Sequence, residues 1–159
     1  MPWAWRLTGD KMTAGVWAVD ALKPHHWDFL QSLPTTCQVG NALLFHGTPQ
    51  DTRGLVSSQK EAAELAAKHD ARWLFGGHTH KAQMYRVGSQ QVVGVGSVGL
   101  ASNGIYGAAC YVLLDGDKIT FRHVSYDLDS AIAAIKNSEL YKLAPTYARE
   151  SMEWMSRGE

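Results

Sequence analysis

Two stretches constrain the fold of this chain more than any others. One is Ala42-Leu43-Leu44-Phe45, followed by His46-Gly47. The other is Trp73-Leu74-Phe75-Gly76, followed by Gly77-His78-Thr79-His80. Each is a short continuous apolar run, the pattern of a buried strand. Each stops at a histidine beside a glycine. In extended chain, side chains two residues apart point the same way. His78 and His80 are therefore expected to present two imidazoles toward one point, an arrangement suited to a metal ion.

The segment between the two runs carries its own signals. Thr48-Pro49-Gln50-Asp51-Thr52-Arg53-Gly54 is a polar loop, in which Asp51 and Arg53 read as solvated charges. Ser58 and Glu61 stand at capping-box spacing. They open an alanine-rich helix expected to reach about His69, with Ala62, Leu65 and Ala66 on one face. A strand-helix-strand unit follows, both strands ending at histidines. In such units ligands gather beyond the carboxyl ends of the strands, which places His46, His78 and His80 at one rim.

The flanks read as ordinary elements. Thr13 is expected to cap a helix through Leu22, and Pro24 to begin another ending near Ser32. Thr36 to Val39 and Ala42 to Phe45 form two strands about a tight turn. Ala82 to Val87 and Gln91 to Val95 pair across Gly88-Ser89, and Ala108 to Leu114 pairs with Lys118 to Ser125. Asp129 is expected to cap a helix through Lys136, with a last helix from Thr146 to Ser156. His25, His26, His69 and His123 read as exposed or locally packed. Ser97 lacks a Gly-x-Ser-x-Gly elbow and reads as a turn residue. Trp3, Trp5 and Trp17 crowd the first 20 residues and are expected to pack on something.

Composition narrows the class. At 159 residues one domain with a real core is expected. Fifteen basic residues balance fifteen acidic ones, with no charged tail to suggest nucleic-acid binding. No apolar run approaches the ~20 residues that span a bilayer, and Met1-Pro2-Trp3-Ala4-Trp5-Arg6 lacks a signal-peptide core. Cys37 and Cys110 each fall in an expected strand and read as buried free thiols of a reducing, cytoplasmic compartment.

The strand ending His46-Gly47 and the Gly77-His78-Thr79-His80 motif together resemble the last two motifs of the calcineurin-like metallophosphoesterase superfamily. Further pieces follow in that family's order. A helix ending Leu33-Pro34 precedes His46. A strand pair, Gly96-Ser97-Val98-Gly99, a hairpin, Tyr126-Asp127 and C-terminal helices follow His80. The resemblance covers roughly residues 24 to 150. It implies an α/β (α+β) fold, the four-layer α-β-β-α sandwich of two packed sheets with helices outside. It also implies phosphoester hydrolysis at two divalent ions (Mn, Fe, Zn or Ni) about 3.5–4 Å apart, on a phosphate-ester small molecule or nucleotide. By that resemblance His46 and His78 are ligands of one ion and His80 of the other, with Gly47 and Gly77 small where the backbone passes close. Neutral imidazole is required, so metal binding should weaken below about pH 6.5.

The family's earlier motifs, Asp-x-His, Gly-Asp-x-x-Asp and Gly-Asn-His, are missing. Gly9-Asp10 is preceded by Trp5-Arg6-Leu7-Thr8, not by an apolar strand, and Gly40-Asn41 reads as a hairpin turn. The chain is therefore expected to be a single partial domain. Residues 1–23 would be an atypical N-terminal segment, 24–127 the core and 128–159 the C-terminal helices. With the bridging carboxylate absent, weak metal binding and little hydrolysis by the chain alone are expected, since zinc usually takes three or four protein ligands. A fold lacking its first strands should expose a sheet edge and apolar surface, and so self-associate or pair with another chain. Two other readings of the same residues are a non-catalytic interaction module reusing the fold and a mononuclear three-histidine site.

Overall fold

The computed structural model describes residues 9–100, 105 and 107–157. The fold is mixed α/β. Its elements are helices α1 (Gly9–Ala21) and α2 (Pro24–Ser32), strands β1 (Thr36–Val39) and β2 (Ala42–Phe45), helix α3 (Gln59–Ala66), strands β3 (Trp73–Gly76), β4 (Ala82–Val87), β5 (Gln90–Val95), β6 (Ala108–Asp115) and β7 (Lys118–Ser125), then helices α4 (Leu128–Lys136), α5 (Glu139–Leu143) and α6 (Pro145–Arg157). They fall into two compact units. Residues 34–126 form one, and residues 9–33 with 127–156 form the other.

The larger unit holds a five-stranded sheet in the order β1-β2-β3-β5-β4 and a two-stranded sheet β6-β7. β2, β3 and β5 run parallel, with Phe45 beside Gly76 and Gly76 beside Gly94. Period-2 alternation sends β3 side chains both ways. On one face Leu74 and Val92 pack under Ala62, Leu65 and Ala66 of α3. On the other, Trp73, Phe75 and Val93 meet Val112, Leu114, Ile119 and Phe121 of the second sheet. β3 is thus covered on both sides, which is why its sequence is continuously apolar. Arg72 lies over the Trp73 ring at 4.8 Å and pairs with Asp117 at 2.9 Å, in the turn of the second sheet.

Helix α3 starts at Ser58, whose hydroxyl accepts the Glu61 N–H at 3.2 Å. Glu61 returns the favour one residue earlier than the capping box requires, accepting the Ser57 N–H at 2.8 Å. The helix ends at Ala66 instead of His69. Lys68 and His69 N–H groups bond carbonyls three residues back, tightening the chain out of α geometry.

In the smaller unit α1 begins at Gly9, four residues before the expected Thr13 cap. Thr13 is an interior residue whose hydroxyl turns back to the Gly9 carbonyl at 3.5 Å. Asp10 accepts the Thr146 N–H at 2.6 Å at the start of α6, and Trp17 donates to Glu139 at 3.1 Å. Trp3 and Trp5 lie outside the described residues. The cap of α4 is Asp127, not Asp129: its carboxylate accepts the Ser130 N–H at 3.0 Å and the Ser130 hydroxyl at 2.6 Å. Helix α5 was not expected, because five residues show no helical period. Both cysteines are free. Cys110 is buried, but Cys37 is exposed, because β1 is the outermost strand. Among the described residues no helix is long and apolar enough to cross a membrane.

Candidate functional site

The register of β2 against β3 brings His46 and Gly77 to neighbouring strand ends, and the Gly77 N–H extends the ladder to the Phe45 carbonyl at 3.3 Å. Gly77 has no side chain for a reason visible here: a Cβ would lie 3.0 Å from His46 Nδ1. The His46 ring therefore lies along the Gly77 backbone and meets the His78 ring edge to face, centroids 5.1 Å apart at 73°. Gly47 has φ +74°, and a Cβ there would fall 2.5 Å from the Thr52 carbonyl. It is glycine because the 48–54 loop folds back on it.

The backbone after β3 is not extended, so the alternation argument for His78 and His80 does not describe it. His78 has φ 74° and His80 φ 58°. The Thr79 N–H reaches the Gly77 carbonyl at 3.0 Å, closing a γ-turn about His78 of the rare, strained, positive-φ kind. This turn, rather than a period of two, carries His78 to His46. Nothing in the spacing announces it, although histidine is among the non-glycine residues that enter positive φ more often than most.

The electrostatics couple all three histidines. Burial, then the neighbouring rings of His78 and His80, holds the His46 pKa below the ordinary histidine value. The residue as a whole is solvent-accessible. The shift therefore reflects the packed side of its ring and the like charges beside it.

The other candidates have local roles. Asp51 builds its own turn, its carboxylate accepting the Arg53 N–H at 2.9 Å and its carbonyl the Thr48 and Gly54 N–H groups at 2.8 Å. Ser97 is a turn residue: its hydroxyl accepts the Leu100 N–H at 3.1 Å and its carbonyl the Cys110 N–H at 2.8 Å. His26 Nδ1 accepts the Lys23 N–H at 3.1 Å, His69 stands 3.4 Å from Gln50, and His123 is exposed on β7. A cavity of about 10 Å³ touching Gly47, Gly77 and Thr79 has room for one water at most. It does not hold a substrate.

As a metal site the described residues are incomplete. No three His, Cys, Asp or Glu side chains among them converge as ligands of one ion. His46 and His78 supply a pair of imidazoles, fewer than a zinc site ordinarily takes.

A family model described as the calcineurin-like phosphoesterase superfamily domain matches residues 15–119. The chain belongs to that superfamily, whose members are generally phosphoester hydrolases using divalent metal ions. Its fold is similar to that of a metallophosphoesterase from Sphaerobacter thermophilus, at TM-score 0.70 and 21% identity. The match covers 86% of this chain and 66% of that one. A hypothetical protein from Pyrococcus horikoshii is similar at TM-score 0.66 and 20% identity, over 83% of this chain and 54% of that one. The chain thus spans between half and two thirds of the length of these relatives. No curated protein matches it.

Proposed function

We infer that the chain is part of a metal-dependent phosphoester hydrolase and contributes His46, His78 and His80 to a divalent metal centre. His46 and His78 serve one ion and His80 a second, with Mn, Fe, Zn or Ni compatible with imidazole donors. The reading is supported by the meeting of the His46 and His78 rings at 5.1 Å on adjacent strand ends, with His78 and His80 both at positive φ. Non-glycine residues in that region are held there by the surrounding structure and cluster at functional sites. The remaining ligands, the bridging carboxylate among them, come from polypeptide outside the described residues. The chain by itself therefore binds metal weakly and turns over little substrate. The substrate is a phosphate-ester small molecule or nucleotide, and the compartment is the cytoplasm.

The test is calorimetric titration of the metal-free chain with Mn²⁺, run beside hydrolysis of nitrophenyl phosphate. Weak uptake that disappears in the double variant His46→Ala, His78→Ala, without turnover, is expected. Two tightly held ions per chain with turnover would sink the incomplete-centre reading. One tight ion lost on His46→Ala alone would point to a mononuclear three-histidine site. No uptake at all would point to a non-catalytic module reusing the fold.

A further inference from the structure

A cation stands beside the histidines without an ion-pair partner. The chain around them falls in two segments, 46–54 after β2 and 77–81 after β3. Besides the histidines, these segments carry three charged residues, Asp51, Arg53 and Lys81. The single carboxylate is already engaged by backbone, since Asp51 Oδ1 accepts the Arg53 N–H at 2.9 Å. Among the described residues no carboxylate pairs with the Arg53 guanidinium, and Arg53 is exposed.

The loop that carries this arginine is pinned in place. Thr48 and Asp51 exchange backbone bonds at 2.8 and 3.2 Å, and the Gly54 N–H closes onto the Asp51 carbonyl at 2.8 Å. The Thr48 hydroxyl also accepts the Asp51 N–H at 3.1 Å. A Gly47 Cβ would fall 2.5 Å from the Thr52 carbonyl carbon, the atom to which the Arg53 nitrogen is bonded. The Arg53 backbone therefore lies against Gly47, one residue from His46. Binding side chains are disproportionately found on loops that a rigid scaffold positions in this way.

We propose that Arg53 binds the phosphate group of the substrate at the histidine rim. The proposal rests on the phosphoester reading above and adds to it the residue that grips the anion. A guanidinium presents a planar fork of donors that matches two oxygens of one phosphate. Charge argues the same way. Divalent ions at the histidines would repel a guanidinium that has no carboxylate of its own, and an anion between them reverses that repulsion. Lys81, the other cation of these segments, offers a point charge without the fork.

The experiment is a carbon-detected NMR titration of the metal-free full chain with inorganic phosphate, following the Arg53 Cζ resonance at constant ionic strength. At about pH 8 the imidazoles are neutral, so they do not hold phosphate themselves. Phosphate should move the Arg53 resonance and leave that of Arg86 in place. Arg53→Ala should raise the phosphate dissociation constant about fivefold or more. Arg86→Ala removes the same charge from the end of β4 away from the histidines, where Arg86 pairs with Gln91. It should change the constant less than about twofold, because charges so separated are screened. Both arginines are exposed, so far-UV circular dichroism should be unchanged in either variant. An unmoved Arg53 resonance, no phosphate binding, or equal losses in the two variants overturns the proposal. Calorimetry with Mn²⁺ on the same samples reads the metal centre separately. Mn²⁺ uptake with phosphate binding that ignores Arg53 sinks the arginine alone. Phosphate binding that needs Arg53, without Mn²⁺ uptake, sinks the metal centre and keeps the arginine as an anion site.

Discussion

His78 and His80 hold backbone conformations that suit glycine, at φ 74° and 58°. A side chain there costs on the order of 1–2 kcal/mol. His78→Gly should therefore stabilise the chain by about 1 kcal/mol net of the added freedom of the unfolded state, read by urea denaturation. The same change should abolish what metal affinity the chain has. His78→Ala keeps the strain and should show no such gain; equal stability of the two variants would remove strain from the account. His46 tests the electrostatics. Burial and the neighbouring imidazoles lower its pKa in the folded chain, whereas the unfolded value is about 6.5. The unfolded state then binds the extra proton, so this contribution to stability is intact above about pH 6.5. It is lost as pH falls from there through the lowered folded value. An NMR titration of His46 should give a midpoint below 6.5 that moves upward in His78→Ala. An unmoved midpoint would mean that burial alone sets it. Gly47→Ala should be the costliest single methyl near the site, since its Cβ would overlap the Thr52 carbonyl at 2.5 Å on a left-handed backbone.

The elements rest on short side-chain contacts that sequence reading located unevenly. Ser58 was legible because a serine three residues before a glutamate opens many helices. Ser58→Ala should cost about 1 kcal/mol by thermal or chemical unfolding. For α4 the expected cap, Asp129, lies two residues past the observed one. Asp129 is exposed in the first turn, while Asp127 accepts two bonds from Ser130. Those bonds hold the Asp127 carboxyl below the usual carboxylate range. The cap is complete above about pH 4, the unfolded value, and is lost as pH falls through the lowered folded value. Asp127→Ala should lower the melting temperature more than Asp129→Ala; the reverse order would reassign the cap. Helix α1 starts early for a reason absent from its own residues: Asp10 is tied to Thr146, 136 positions away.

At the scale of the molecule, a thin core carries the larger unit. Among the described residues only Leu74 and Val93 are large side chains less than 2% exposed. Leu74→Ala should cost about 3 kcal/mol, the middle of the range for emptying a buried leucine site. A loss below 1 kcal/mol, measured by urea unfolding, would mean that the sheet collapses onto α3 to fill the space. Local pattern determined much here: the apolar runs, their histidine ends, the hairpins and the α3 cap. Each depends on neighbours within a few residues, where period and capping chemistry act. The strand-helix-strand pattern puts the three histidines at one rim, but tertiary structure alone decided how the His46 and His78 rings meet, because that depends on the register of β2 beside β3 and on a left-handed turn no residue type demands. It alone also showed that two uncharged segments, far apart in the chain, line one exposed cleft. Each segment is written residue by residue, but the cleft they line exists only once the two sheets have packed.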